Sequence, residues 1–197
     1  HANKDHSFKN ILNSASMCVA DGFGLILASK FLKNSLGERV VGVDFVENFC
    51  EICEKENKSI YLLGGGEGIA RKTADKFKKK YPNLKISGYL EGDINLKDCY
   101  RLIKSVNPDV LFVAFGAPRQ EKWIYENLKE IPSIKLAIGV GGAFDFISGN
   151  VKRAPKFMRR LGLEWLWRLI IQPWRIRRIF NAVVVFPVLF FVSIIKK

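Results

Sequence analysis

The chain has 197 residues, 48% of them hydrophobic, which is enough for one well-cored domain and short for two. Its formal charge of +13 is uneven: residues 151–197 hold eleven Lys and Arg against Glu164 alone, leaving only +3 for the first 150. These cations alternate with Trp165, Trp167, Trp174, Phe180 and many Leu and Ile, an interfacial composition that points to a membrane surface rather than to nucleic acid.

In chain order, Ser7–Ser16 reads as a helix, Ala20-Asp-Gly-Phe-Gly24 as a turn and Leu25–Asn34 as a second helix. Val40–Val43 predicts a short strand, and Asp44 the cap of a helix running to Lys58. Ile60–Leu63 is a β-rich apolar run that empties into Gly64-Gly-Gly66, followed by a helix from about Gly68 to Tyr81. A strand at Lys85–Tyr89 and a helix at Asn95–Val106, stopped by Asn-Pro, come next. Strand Val110–Phe115, helix Gln120–Glu130, strand Lys135–Val140 and a short helical turn near Phe144 complete the alternation. Strands separated by such helices imply right-handed crossovers and a mainly parallel sheet. The expected class is α/β: a Rossmann-like core over residues 1–155, then a helical, basic and apolar C-terminal membrane appendage over 156–197.

Cys18, Cys50, Cys53 and Cys99 lack the spacing of a disulfide framework. Cys50-Glu-Ile-Cys53 has C-x-x-C spacing but lies within a predicted helix, with no second pair or adjacent His to complete a zinc site. Free thiols in a reducing cytosol are expected. No secretory signal opens the chain, and its start at His rather than Met suggests that an N-terminal piece is left out.

Beyond Arg153-Ala-Pro155, Lys156 to about Phe180 is helical in pattern, interrupted by Pro173. The last apolar run, Ala182–Ile195, covers roughly 21 Å at about 1.5 Å per residue, short of the roughly 30 Å hydrocarbon core. The expectation is a segment that dips into one leaflet, flanked by Trp, Arg and terminal Lys anchors. A hydrophobic helix packed on the domain or on a partner subunit is the alternative.

Two more strands empty into glycine: Val110–Phe115 into Gly116-Ala-Pro, and Lys135–Val140 into Gly141-Gly142. Small residues and backbone N–H groups at the carboxyl edge of an open α/β sheet are where such folds hold nucleotides. Gly64-Gly-Gly-Glu-Gly68 fails the dinucleotide fingerprint, because Ile69 stands where its last Gly or Ala belongs, and no P-loop is present. The loop can still accept a phosphate at the helix that follows, or be a tight turn only.

Ala20-Asp-Gly-Phe-Gly24, Arg39-Val-Val-Gly-Val-Asp44, Leu63-Gly-Gly65, Gly116-Ala-Pro-Arg-Gln-Glu-Lys-Trp123, Gly139-Val-Gly-Gly-Ala-Phe-Asp145, Arg153-Ala-Pro155 and Gly162-Leu-Glu-Trp-Leu-Trp-Arg168 run in order along the chain. Together they resemble the WecG/TagA/CpsF glycosyltransferases, with Gly-x-Pro-x-Gln-Glu-x-Trp the specific signal. The Arg/Trp-rich C-terminus is similar to the TagA-like branch. That resemblance implies transfer of N-acetylmannosamine from UDP to N-acetylglucosamine on undecaprenyl diphosphate, at the cytoplasmic face of the membrane, opening a wall teichoic acid linkage unit. Other branches use related sugars for capsule or enterobacterial antigen. The resemblance also implies a further N-terminal portion, with a Thr-x-Asn segment near the acceptor pocket, that this sequence does not contain.

The chain has no Asp-x-Asp, in keeping with the metal-independent, cofactor-free, inverting transfer that the resemblance implies. Departing UDP then relies on helix N-termini and arginines. Arg177 and Arg178 are the candidates if the appendage folds over the site; contact with lipid headgroups is their other reading. Arg39, just before the predicted strand, is a further cation or a surface ion pair. Asp21, in a Gly-flanked turn, is the candidate general base or a helix cap, with Asp145 as its rival. Gln120 suits the donor sugar or uracil, while Glu121 is a dipole partner of its helix. Gly65, Gly66, Gly116, Gly141 and Gly142 are the expected backbone cradle for UDP, and Tyr89 and Phe115 could stack on uracil, Phe115 serving the core instead. The greasy tail can also self-associate, so a homo-oligomer is compatible with it. Rival classes are a nucleotide-dependent oxidoreductase or methyltransferase, a basic nucleic-acid-binding module and an inactive membrane scaffold.

Overall fold

A computed structural model of the chain describes residues 5–32, 36–92 and 99–195. In order these form α1 (His6–Ser14), α2 (Phe23–Phe31), α3 (Gly42–Lys55), β1 (Ser59–Gly64), α4 (Ile69–Lys80), β2 (Lys85–Leu90), α5 (Cys99–Val106), β3 (Val110–Ala114), α6 (Arg119–Asn127), β4 (Leu136–Gly139) and α7 (Ala143–Ile147). Then come α8 (Lys156–Arg160), α9 (Glu164–Ile171), α10 (Ile176–Phe180) and α11 (Phe186–Ile195). The expected helix ends at residues 33–34 and 95–98, and terminal Lys196 and Lys197, lie outside the described residues. The chain divides into two compact units, residues 1–18 with 41–151 and residues 19–40 with 152–197.

The first unit is a four-stranded, wholly parallel sheet in the order β2-β1-β3-β4. Alternation sends Ile60, Leu62, Val110 and Phe112 to one face, where α3, α4 and α7 cover them through Val46, Phe77 and Phe144. Tyr61, Leu63, Leu111 and Val113 face the other side, under α5 and α6 with Ile103 and Trp123. Burial on both faces is why β1 and β3 read as unbroken apolar runs instead of alternating ones.

One expected element is corrected. Val40–Val43 is not a strand: α3 begins at Gly42, with Val41 as its extended N-cap and Asp44 inside its first turn. The reason is periodicity, since Val43, Val46, Cys50 and Cys53 are all buried and recur along one helical face. This also accounts for the C-x-x-C pair as core packing. All four cysteines are free, and burial pushes both helix thiols up, Cys53 to about 11, so neither is a ready thiolate.

The second unit is helical. Its α2 and α11 meet through Phe31 and Phe191, edge to face with ring centroids 5.9 Å apart. Between α10 and α11 the backbone takes a π turn at Asn181–Val185, immediately ahead of Pro187, whose missing N–H and bulky ring cannot sit in a regular α-helix interior. Leu25, Leu27, Phe31, Trp174, Phe180, Leu189 and Phe191 remain exposed. No helix among the described residues is long and apolar enough to cross a membrane.

Asp109 ties the amino ends of three strands together. Its carboxylate accepts from the Ser59 N–H and hydroxyl at 2.9 and 3.0 Å and from Lys135 at 3.1 Å. The Ser59 N–H above all, with Lys135, lowers its carboxyl from 3.8 to about 2. A depressed folded-state value stabilises the fold above the unfolded value of 3.8, and that contribution is lost as pH falls towards about 2. Asp109→Asn is therefore expected to be less stable than the parent at neutral pH, with the difference closing between about pH 4 and pH 2 in urea titrations.

Candidate functional site

In the first unit the strand order reverses between β1 and β3, since β2 lies outside β1 and β4 outside β3. Open α/β sheets bind ligands in the crevice at the carboxyl ends of the strands flanking that reversal. Here those ends are Gly64-Gly65-Gly66 and Phe115-Gly116, held together by pairing of Gly64 with Ala114 and by the Gly65 N–H donating to the Ala114 carbonyl at 3.2 Å. Gly64 sits at φ +96°, and a Cβ there would stand 2.8 Å from the Phe115 ring. Phe115 itself packs edge to face on buried Trp123. Tyr89, near the end of β2, is 39% exposed.

The fold gathers Gly65, Gly66, Gly116, Gly141, Gly142 and Gln120 onto this edge. Gln120 is only 5% exposed, and its amide oxygen accepts from the N–H groups of both Gly116 and Gly141 at 3.0 Å. Its Nε2 donates to Glu121 Oε1 at 2.8 Å. Gly139 must be glycine for this, because a Cβ would collide with the Gln120 amide. The amide expected to read the substrate thus clamps two glycine loops, and the N–H groups of Gly116 and Gly141 are engaged within the protein. The Gly65 N–H is likewise taken. Asp145 lies in the first turn of α7, half-buried, with its carbonyl accepting from Val151.

Sequence reading missed Glu91. It follows β2, accepts from the Arg71 N–H in the first turn of α4 at 3.0 Å, and is followed by Gly92, whose N–H reaches the Gly65 carbonyl at 3.2 Å. A carboxylate therefore stands against the helix end expected to take a phosphate. A lone acid after a strand gives no pattern from which that contact could be read.

In the second unit Asp21 and Arg39 are brought together. Arg39 Nε donates to the Asp21 carbonyl, and its Nη2 approaches Asp21 Oδ1 at 3.4 Å and Glu164 Oε2 at 3.5 Å. Arg39 is thus the ion pair expected as one of its readings. Desolvation raises the Asp21 carboxyl above the usual value, against the pull of Arg39, although 63% of the side chain stays open to solvent. Asp21 is not the cap of α2; Gly22 holds that place, without a side-chain cap bond. Arg177 and Arg178 are exposed on α10. Glu164 was also missed; an acid in the first turn of a helix reads as a dipole partner until the fold brings Arg39 to it. Among the described residues, no three His, Cys, Asp or Glu side chains gather as a metal site.

Gln120→Ala would strand two partly buried N–H groups at the carboxyl edge. A loss of about 1–3 kcal/mol in stability is expected, measured by chemical denaturation.

A protein-family model described as the glycosyl transferase WecG/TagA/CpsF family matches residues 1–197. A Bacillus subtilis (strain 168) protein named N-acetylglucosaminyldiphosphoundecaprenol N-acetyl-beta-D-mannosaminyltransferase is 38% identical over 179 residues, covering 90% of this chain and 70% of its own length. Proteins of the same name from Bacillus spizizenii (strain W23) and Staphylococcus aureus (strain MRSA252) are 33% and 32% identical, over 88% and 91% of this chain and 68% and 70% of theirs. With the glycine-lined sheet edge in place and the match running from end to end, this chain belongs to the glycosyl transferase WecG/TagA/CpsF family.

Proposed function

We propose that this glycosyltransferase moves N-acetylmannosamine from UDP to N-acetylglucosamine carried on undecaprenyl diphosphate, by a single inverting displacement without a metal, in assembly of a wall teichoic acid linkage unit. The observation that carries the reading is the shared name of relatives 32–38% identical across most of the chain. A β-linked product, as in that name, is what one displacement on an α-linked nucleotide sugar yields.

In this reaction Asp21 takes the proton of the acceptor hydroxyl while its oxygen attacks the anomeric carbon from the face opposite UDP. The raised carboxyl supports this role, because a stronger base accepts the proton more readily once ionised. The leaving UDP gathers negative charge, and Arg177 and Arg178 are the side chains proposed to counter it. Gly65, Gly66, Gly116, Gly141 and Gly142 shape the floor for the nucleotide, Tyr89 offers a ring for uracil, and Asp145 contacts the donor. The exposed apolar residues of α2, α10 and α11, with the arginines and tryptophans beside them, support peripheral attachment to the cytoplasmic face of the membrane, where the lipid-borne acceptor resides.

Released UDP, measured with the full-length enzyme in lipid vesicles, tests the substrates. Turnover is expected with UDP-N-acetylmannosamine and unchanged by a chelator; turnover only with another UDP-sugar would overturn the donor. Asp21→Asn is expected to lower kcat by about 10²–10⁴-fold. In the parent enzyme kcat/KM should rise with pH through an ionisation above the ordinary aspartate range, because only the ionised base can take the proton.

A further inference from the structure

The charged groups around Asp21 form an alternating row. Arg39 stands between Asp21 and Glu164, and Arg153 Nε lies 3.7 Å from the other oxygen of Glu164. Glu164 is well sheltered, its side chain 12% exposed, and it opens α9, where helix N–H groups favour a carboxylate. Arg168, one turn further along α9, adds a second positive charge that acts on Asp21. The field at Asp21 is the sum of these charges: Arg39 favours its carboxylate form, and the negative charge of Glu164 on the other side of Arg39 opposes that. The bond from Arg39 Nε to the Asp21 carbonyl holds the same guanidinium from its other side.

We propose that Glu164 is a positioning residue for Asp21: it fixes the Arg39 guanidinium and sets its own negative charge against it, so that the Asp21 carboxylate stays a proton acceptor instead of half of a closed ion pair. This rests on the reading of Asp21 as the base. The directions of the electrostatic effects agree, since Arg39 and Arg168 lower the Asp21 carboxyl and Glu164 raises it again. Arg153, on the far side of Glu164, sets a further positive charge against it.

The test is the pH dependence of kcat/KM for UDP release by the full chain in lipid vesicles, which reports ionisation of the free enzyme. In Glu164→Gln, Arg39 acts on Asp21 alone, so the acid limb should move down by roughly half a pH unit, the scale on which one partly solvated charge perturbs a neighbour. The plateau rate should fall roughly twofold as the base weakens. Arg153→Gln should move the limb the other way, and Glu164→Asp, which keeps the charge, should leave it near the parent's. Unmoved limbs in Glu164→Gln and Arg153→Gln, with Asp21→Asn inactive, would overturn the positioning role alone. Full turnover by Asp21→Asn would instead overturn the base assignment. Should Glu164→Gln fail to fold, Arg153→Gln decides by itself, because it leaves Glu164 in place.

Discussion

Parallel pairing of β1 with β3 is the constraint on which the first unit depends. Both strands are buried on both faces, so neither can slip by a residue without carrying its entire apolar set to the wrong layer. With that register held, Gly64 lies beside Ala114 and the loops after both strands leave the sheet at the reversal of strand order. A crevice there follows from topology. The glycines let two loops, a ring and a buried amide occupy space that side chains would fill.

Gln120 turns this edge from a set of loops into one object. Its single oxygen takes N–H groups from the loops after β3 and β4 and so ties them to one side chain. A polar group this deeply buried must be matched, and the match here is complete on the oxygen and passes through Nε2 to Glu121. The Gly-x-Pro-x-Gln-Glu-x-Trp signature then has a physical meaning. Glycine gives the donor N–H, glutamine clamps it, glutamate receives the glutamine amide, and tryptophan anchors the helix in the core.

The second unit solves a different problem. It leaves many large apolar side chains exposed, and it holds a row of alternating charge in which Arg39, Glu164 and Arg153 are sheltered and Asp21 is open to solvent. In the proposed reaction these two properties serve one purpose. The surface meets the lipid that carries the acceptor, and the row keeps a carboxylate basic enough to deprotonate it.

Much of this was determined by the sequence alone. Apolar runs ending in glycine located β1, β3 and β4, and the separation of the strands by helices pointed to parallel pairing through crossovers. The glycine-lined edge was legible for the same reason: local spacing and composition carry it. Val40–Val43 misled because four β-branched or small residues look alike in a strand and in the first turn of a buried helix, and only packing of Val43 and Val46 separates the two. The roles of Gln120, Glu91 and Glu164 belonged to the tertiary structure. Each depends on a partner that is near only after folding: Gly141 lies 21 residues from Gln120, Arg71 lies 20 from Glu91, and Arg39 meets Glu164 across most of the chain. Long-range polar contacts leave no period in a sequence, because a hydrogen bond needs one donor and one acceptor at one distance, and chain spacing records neither.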